Sequence, residues 1–127
     1  MKLCRVGKLN KEKPALIDKD GNFRDLSNII TDFNPEHLNF ETIEKVSKLN
    51  INDLAILDKN SRIGACVKNP SKFLGIGLNY KDHALEQNLP VPKEPIIFSK
   101  FTNCISGPDD DIVIPKNSSH TDWEVEL

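Results

Sequence analysis

Near the start of the chain, hydrophobic and polar residues alternate in the manner of short β-strands. The sequence Asp20-Gly21-Asn22 lies between two of these segments and supplies residues that accept the positive φ angles of a tight hairpin. From Asn39 to Asn50 the spacing changes, because apolar residues recur at every third position with Glu and Lys between them. This spacing predicts one amphipathic helix capped by Asn39. The pattern therefore predicts a small β-rich unit with one helix, and its strands span residues 2–7, 15–18 and 23–26.

After a polar, proline-containing step at residues 68–71, the hydrophobic pattern becomes denser. Residues 73–78 form an almost continuous apolar run, which is typical of a strand buried on both faces. Asn79 can cap a short helix over residues 80–88, which has to end before Pro90. The polar step predicts a domain boundary, with one domain over residues 1–68 and a second over residues 69–127. Further strands are predicted over residues 96–100, 112–114 and 122–127.

The last of these predicted strands carries acidic side chains on one face. Asp122, Glu124 and Glu126 occupy alternate positions, with apolar residues between them, so their carboxylates point to the same side. Glu124 and Glu126 would lie about 7 Å apart at their Cα atoms. Two such carboxylates suit a hard divalent cation such as Mg²⁺, Mn²⁺ or Ca²⁺. The same pattern also fits an edge strand with a solvated acidic face, and the strand alone does not decide between the two.

A second pair of candidate residues lies on the predicted short helix. His83 and Glu86 are three positions apart, so their side chains are neighbours on one helix face. A carboxylate beside an imidazole orients the ring and raises its basicity, which is what a general base that activates water requires. The alternative is a surface ion pair that contributes little to stability.

Composition and charge narrow the classes of function. The 127 residues include 17 Lys and Arg against 19 Asp and Glu, a formal net charge of -2, which argues against a nucleic-acid-binding surface. The chain has neither an apolar run of signal-peptide length at its start nor a stretch near the ~20 apolar residues of a membrane span. Cys4, Cys66 and Cys104 are far apart and lack C-x-x-C spacing, so we expect three reduced, buried thiols. These features predict a cytoplasmic protein with no nucleic acid and no membrane as a partner.

Four sequence blocks resemble the fumarylacetoacetate hydrolase superfamily. They are residues 73–86 (FLGIGLNYKDHALE), 92–100 (PKEPIIFSK), 107–115 (GPDDDIVIP) and 121–127 (TDWEVEL). The first domain also resembles the small β-rich N-terminal domain of many bacterial members. This resemblance implies an α+β, mainly β fold, in which the small β-rich N-terminal domain precedes the first part of a catalytic domain of the family's mixed β-roll type.

The resemblance also implies a site and a reaction. Glu124 and Glu126 match the family's Glu-x-Glu ligands for Mg²⁺ or Mn²⁺, and His83 with Glu86 matches the pair that activates water. The implied reaction is the cleavage of a carbon–carbon bond in a β-diketo or 2-oxo acid. In it, the 2-oxo-carboxylate end of the substrate chelates the metal, and water deprotonated by His83 attacks the substrate. The metal would stabilise the enolate that leaves when the carbon–carbon bond breaks.

Other positions in the matched blocks refine this picture. Tyr80 and Lys100 lie near the implied site and are expected to contact the substrate. Leu78 stands where acylpyruvase and oxaloacetate decarboxylase members carry Arg, which favours the bacterial branch often labelled ureidoglycolate lyase or diketo-sugar-acid hydrolase. Hydrolase, lyase, isomerase and decarboxylase chemistry all remain open for the same site.

One departure from the family pattern bears on activity. The family's third metal ligand, an Asp, and its active-site Lys lie downstream of the Glu-x-Glu strand and have no counterpart here, because the chain ends one residue after Glu126. We therefore expect a truncated chain that has little or no turnover by itself. A second hypothesis is a non-catalytic product whose N-terminal domain serves as an interaction or oligomerisation module. The complete protein is expected to be a homodimer that acts on a small-molecule 2-oxo or β-diketo acid.

Overall fold

The structure, a computed structural model, describes residues 1–123, which fall into two units. The first unit comprises Met1–Ser71 and Ile105–Asp110, and the second comprises Lys72–Cys104 and the described residues from Asp111 to Trp123. Strands and short helices occupy separate segments, and more residues lie in strands than in helices. This confirms the predicted α+β, mainly β class. The division into domains between residues 68 and 69 stays a prediction.

Three antiparallel strands form the sheet of the first unit in the order β1-β2-β3. They are β1 (Lys2–Val6), β2 (Lys13–Ile17) and β3 (Phe23–Asp25), and each confirms a predicted strand with slightly shifted bounds. β2 begins earlier than predicted and includes Pro14, which has no N–H to donate to a sheet. Because β3 pairs with β2 only from Ala15 onward, the missing N–H interrupts no pairing on that side.

Both faces of this sheet are buried. Alternate residues of a strand point to opposite faces, so Ala15 lies on one face and Leu16 on the other. Each of the two belongs to a different hydrophobic cluster. The cluster around Ala15 consists of Cys4, Val6, Ala15 and Phe23, and the cluster around Leu16 consists of Leu16, Leu26, Ile30, Phe33 and Val46.

The helix of the first unit, α1 (Phe40–Ser47), begins where the sequence predicts. The Asn39 side chain accepts a hydrogen bond from a backbone N–H of the first turn at 2.8 Å, which confirms the predicted cap. The helix ends before Asn50, because that side chain starts a separate 3₁₀ turn, Ile51–Asp53. Phe40, the first residue of the helix, is 95% exposed. Within residues 1–123, no helix is long and apolar enough to cross a membrane.

A buried arginine organises the charges of the first unit. Arg5 in β1 is only 4% exposed, and its guanidinium donates to both carboxylate oxygens of Asp32, at 2.6 and 3.1 Å. It also donates to the carbonyl oxygen of Ala65 at 3.1 Å and to the Glu12 carboxylate at 3.4 Å. Burial alone would raise the pKa of Asp32, but hydrogen bonds and charge from Arg5, together with Lys68, lower it below its usual value. The Asp32 carboxylate is therefore ionised beside the buried cation.

A single carboxylate holds the loop between β2 and β3. Asp18 accepts hydrogen bonds from the backbone N–H groups of Asp20 and Asn22, at 2.9 and 2.8 Å, and from the Arg24 guanidinium at 2.9 Å. Gly21 has a φ of 81°, which is the positive angle that the predicted turn requires. Burial would raise the pKa of Asp18, but the hydrogen bonds from Asn22, Arg24 and Asp20 outweigh it and lower the pKa to about 2.

The second unit contains one antiparallel strand pair and a short helix. Its elements are β4 (Phe73–Gly77), α2 (Lys81–Glu86) and β5 (Ile96–Lys100), and all three confirm predicted elements. The prediction that β4 is buried on both faces is wrong for the described residues, because Leu74 is 54% exposed. Among residues 1–123, β4 pairs only with β5, all of whose residues are exposed, and a two-stranded sheet cannot enclose either strand.

Four local predictions in the second unit differ from the structure in whole or in part. The N-cap of α2 is Tyr80, whose side chain makes no capping hydrogen bond, rather than Asn79. The helix ends at Glu86 rather than at residue 88, because Asn88 adopts a left-handed φ of 54°. Residues 112–114 form no strand; their apolar side chains are exposed, and within the described residues no strand pairs with them. Of the last predicted strand, Asp122 and Trp123 are not in a strand, and residues 124–127 lie outside the described residues.

The three cysteines are free thiols, but their burial differs. Cys4 is buried in β1, and burial raises the pKa of its thiol to about 11. Cys66 and Cys104 are exposed, so the prediction of three buried thiols is wrong for these two. The reason is their location outside the sheets, since Cys66 lies in an irregular segment and Cys104 ends a 3₁₀ turn.

Substitution of Arg5 by Met tests the buried ion pair. It leaves Asp32 buried without its main partner, so the free energy of unfolding is expected to fall by about 3 kcal/mol. Lys13→Met is the control, because Lys13 pairs with Asp25 at 2.9 Å but its side chain is 54% exposed. We expect the control to lose less than about 1 kcal/mol. Urea unfolding followed by circular dichroism measures both, and equal losses would contradict the prediction.

Acid titration tests the Asp18 loop. Because the pKa of Asp18 is lowered in the folded chain, the ionised carboxylate stabilises the fold above its ordinary pKa, and this contribution is lost as the pH falls through about 2. The melting temperature of the unsubstituted chain should therefore exceed that of Asp18→Asn at neutral pH, and the gap should close between about pH 4 and about pH 2. Asp20→Asn, in the same loop, should not reproduce the gap. A gap that is independent of pH would refute this account.

Candidate active site

The predicted catalytic helix follows a strand through a very short turn. β4 ends at Gly77 and α2 begins at Lys81, and the first residue between them, Leu78, has a left-handed φ of 49°. In the described part of the chain, the other four non-glycine residues with positive φ are all Asn, which tolerates this region. For a leucine the same conformation costs about 1–2 kcal/mol. Strain of this kind is concentrated at functional sites, so the turn marks the start of α2 as a candidate site.

α2 places His83 and Glu86 three residues apart on one helix, as the sequence predicts. Ala84 is fully buried and determines which side of the helix packs, whereas His83 is half-buried and Glu86 is exposed. The amide nitrogen of Gln87 lies 2.5 Å from Nε2 of the His83 ring. When the amide donates, Nε2 accepts with its lone pair. The roles of His83 and Glu86 stay predictions.

Gln87 is a residue that sequence reasoning missed. Its spacing from His83 is four residues, which brings two side chains together on a helix as readily as a spacing of three. The signal was therefore present, but a carboxylate near an imidazole has a clearer chemical role than an amide has.

The two predicted substrate contacts belong to different ends of the strand pair. Tyr80 is 40% exposed and lies just beyond the end of β4 at Gly77. Lys100 ends β5 and pairs in register with Phe73, the first residue of β4. The register thus separates Lys100 from the end of β4 that leads to Tyr80 by about 13 Å of strand. The structure shows no shared contact of the two, and their substrate roles stay predictions.

Lys100 interacts with two aromatic rings. Its ammonium nitrogen lies 5.7 Å from the ring centroids of both Phe73 and Phe98, a distance at which a cation is attracted to the ring faces. Phe98 lies over Gly75 of the facing strand, and a Cβ at Gly75 would overlap its ring. Glycine at this position is therefore necessary for the ring to lie where Lys100 meets it.

The predicted metal ligands, Glu124 and Glu126, lie outside the described residues. Within residues 1–123, no group of three or more His, Cys, Asp and Glu side chains could hold a metal ion. The described residues therefore do not form a metal site by themselves.

Comparison with protein families gives a match to the second part of the chain. Residues 72–127 match the family described as "Fumarylacetoacetate (FAA) hydrolase C-terminal". This range contains every predicted site residue, from Tyr80 to Glu126.

Individual proteins match the whole chain. A protein of Burkholderia lata that is provisionally named a hydrolase is 48% identical over 127 residues, and the 2,4-didehydro-3-deoxy-L-rhamnonate hydrolase of a Sphingomonas species is 46% identical over 127 residues. These alignments cover 45% and 43% of the two relatives, so the chain spans less than half of their length.

A solved structure shows the same fold. A crystal structure from Mycobacterium smegmatis, provisionally described as an HpcE protein, is 25% identical, with a TM-score of 0.61 over 88% of this chain and 41% of that one. The similarity covers most of the chain rather than the family-matched range alone. Residues 72–127 thus match the fumarylacetoacetate hydrolase family, and the whole chain is similar to proteins named as hydrolases.

Proposed function

We propose that this chain supplies the water-activating part of a hydrolase site that cleaves a carbon–carbon bond in a β-diketo or 2-oxo acid. The observation that carries the proposal is α2, which follows β4 within the family-matched range and holds His83 and Glu86 on one helix. A relative that is 46% identical is named for the hydrolysis of a didehydro-deoxy sugar acid, which supports a diketo acid as the class of substrate.

His83 is the proposed general base. It takes a proton from the attacking water, which requires a ring nitrogen with a lone pair and a fixed ring direction. When the Gln87 amide donates to Nε2, it fixes the ring direction but occupies that lone pair, so the contact has to open before Nε2 takes a proton from water. Glu86 supplies negative charge beside the imidazolium that forms when the proton is taken.

Family members generally use a divalent metal ion. We propose Glu124 and Glu126 as ligands of Mg²⁺ or Mn²⁺, with further ligands from residues outside this chain's described part, since that part holds no ligand cluster of its own. When bound, the ion would polarise the substrate carbonyl and offset the negative charge of the enolate.

Tyr80 and Lys100 are the proposed substrate contacts. Lys100 carries a positive charge that suits a carboxylate of the substrate, and the rings of Phe73 and Phe98 limit where that charge can lie. We further propose that the complete protein is a cytoplasmic homodimer in which residues 1–68 form the small N-terminal domain. The family resemblance supports these points.

A chimera tests the proposed function. This chain replaces the 127 aligned residues of the Burkholderia lata relative, so that the rest of that relative supplies the remaining length. We expect the folded chimera to hydrolyse acylpyruvates or 2,4-diketo acids with Mg²⁺ or Mn²⁺ and to lose activity in EDTA. The 127-residue chain alone should show little or no turnover. If the relative is active and the folded chimera is not, the proposal is wrong.

Two histidine variants of the chimera test the general base. His83→Asn should lower kcat by about 10²–10⁴, because it removes the group that accepts the proton. His120→Asn is the matched control, since His120 is exposed and contacts the neighbouring Ser119. It should retain full activity. A similar loss in both variants, or no loss in His83→Asn, would exclude His83 as the base.

A further inference from the structure

The segment Ile105–Asp110 lies in the family-matched range of the sequence but folds with the first unit. It contains a turn in which the Gly107 N–H donates to the Asp110 carboxylate at 2.6 Å and the Asp110 N–H donates to the Gly107 carbonyl oxygen at 3.3 Å. These two bonds close the turn on itself. They therefore hold the Asp110 carboxylate in a fixed position within the turn.

The turn lies directly against the backbone of residues 62–64. Gly107 is buried, and a Cβ at this position would overlap the carbonyl oxygen of Ile63 and lie 3.1 Å from the Cα of Gly64. Residues 62–64 also join β1, since the Gly64 N–H donates to the Arg5 carbonyl oxygen at 2.7 Å and the Gly7 N–H donates to the Arg62 carbonyl oxygen at 2.8 Å. The turn therefore contacts backbone that is hydrogen-bonded to the first sheet.

Arg62 joins the turn to the buried charges. Its Nε and one terminal nitrogen donate to the two carboxylate oxygens of Asp110, each at 2.5 Å, and its other terminal nitrogen donates to Glu12 at 2.7 Å. The bond from Arg62 is the main cause of the lowered pKa of Asp110, with a smaller contribution from the N–H of Gly107. Glu12 in turn contacts Arg5. One chain of charge contacts thus runs from the turn to the centre of the first unit.

The charges in this network balance only when Asp110 is included. Its cations are Arg5, Arg62 and Lys68, and its carboxylates are Glu12, Asp32 and Asp110. Without Asp110, three cations face two carboxylates, and Arg62 loses its paired, two-bond partner. Partly buried arginines are stable when such planar pairs satisfy them.

We propose that residues 62–64 form a docking surface whose occupant is the chain's own Gly107–Asp110 turn, and that this docking completes the first unit. The first unit is then not a self-contained domain of residues 1–71. A segment from within the family-matched sequence supplies one of its buried contacts and one of its charges. The inference does not depend on the proposed function, because it concerns only contacts inside the first unit.

Hydrogen exchange of the full 127-residue chain, measured residue by residue, tests the docking. Asp110→Asn keeps an oxygen that can accept from Gly107 but removes the charge that Arg62 meets. We expect the amides of Gly7 and Gly64 to exchange about tenfold faster in this variant, because opening of the first unit becomes easier. Asp109→Asn is the matched control, since it removes the exposed neighbouring carboxylate of the same turn. It should leave both amides unchanged.

A second variant separates docking from a local effect on the turn. Arg62→Lys keeps the positive charge but loses the two-bond geometry, so Asp110→Asn should have a much smaller effect in this background than in the unsubstituted chain. Unfolding of the first unit in Asp110→Asn but not in Asp109→Asn would also support the docking. Faster exchange confined to residues 105–111, equal effects of the two Asp variants, or additive effects of Arg62→Lys and Asp110→Asn would each overturn it.

Discussion

The first unit depends on the burial of one charged side chain. A guanidinium that is 4% exposed cannot be solvated by water, so protein atoms have to satisfy it. Asp32 provides two hydrogen bonds, the Ala65 carbonyl oxygen a third, and Glu12 a weaker fourth. These partners come from three different parts of the sequence. Their positions around Arg5 therefore constrain where the chain can run after β1, and the hydrophobic clusters fill the space that this path leaves. A carboxylate buried at Asp32 is tolerated for the same reason, since each ion is the main partner of the other.

In the second unit the corresponding constraint is steric rather than electrostatic. β4 has glycine opposite Phe98, and only a residue without a Cβ lets that ring lie on the strand. The ring in turn is one of two that the Lys100 ammonium meets. At the far end of β4, Leu78 adopts a conformation that leucine disfavours, and the chain enters α2 within three residues. The contact of Lys100 with Phe73 thus lies at one end of β4, the strained residue Leu78 lies just beyond the other end, and the candidate base follows Leu78. Strain at this point is reasonable if it fixes the direction in which α2 leaves the strand.

The sequence predicts those parts of the fold that short spacings determine. The strands of the first unit follow from alternation, β4 follows from a continuous apolar run, and the hairpin loop follows from its turn residues. The helix α1 follows from the regular spacing of apolar residues, and its Asn39 cap follows from the residue before that pattern. Asn79 shows the limit of that rule, because the turn at Leu78 moves the start of α2 one residue further and Tyr80 becomes the cap. Arg5 and Asp110 show a different limit. Their partners lie 27 and 48 residues away, and no local pattern indicates which of many charged residues will meet. The metal ligands were predicted from alternation and from family resemblance, and they lie outside the described residues.

The helix surface around His83 shows how far local geometry supports the proposed base. Side chains three and four residues later flank a helical position on its two sides, so Glu86 and Gln87 both lie within reach of the His83 ring. The structure places the ring against Gln87. An amide can orient an imidazole, but it adds no negative charge and does little to stabilise the imidazolium. A carboxylate does both, although Glu86 is exposed and water weakens its field. In the proposed site, orientation and charge would therefore come from different side chains. The proposed role of Glu86 therefore depends on how far water is excluded from its side of the ring.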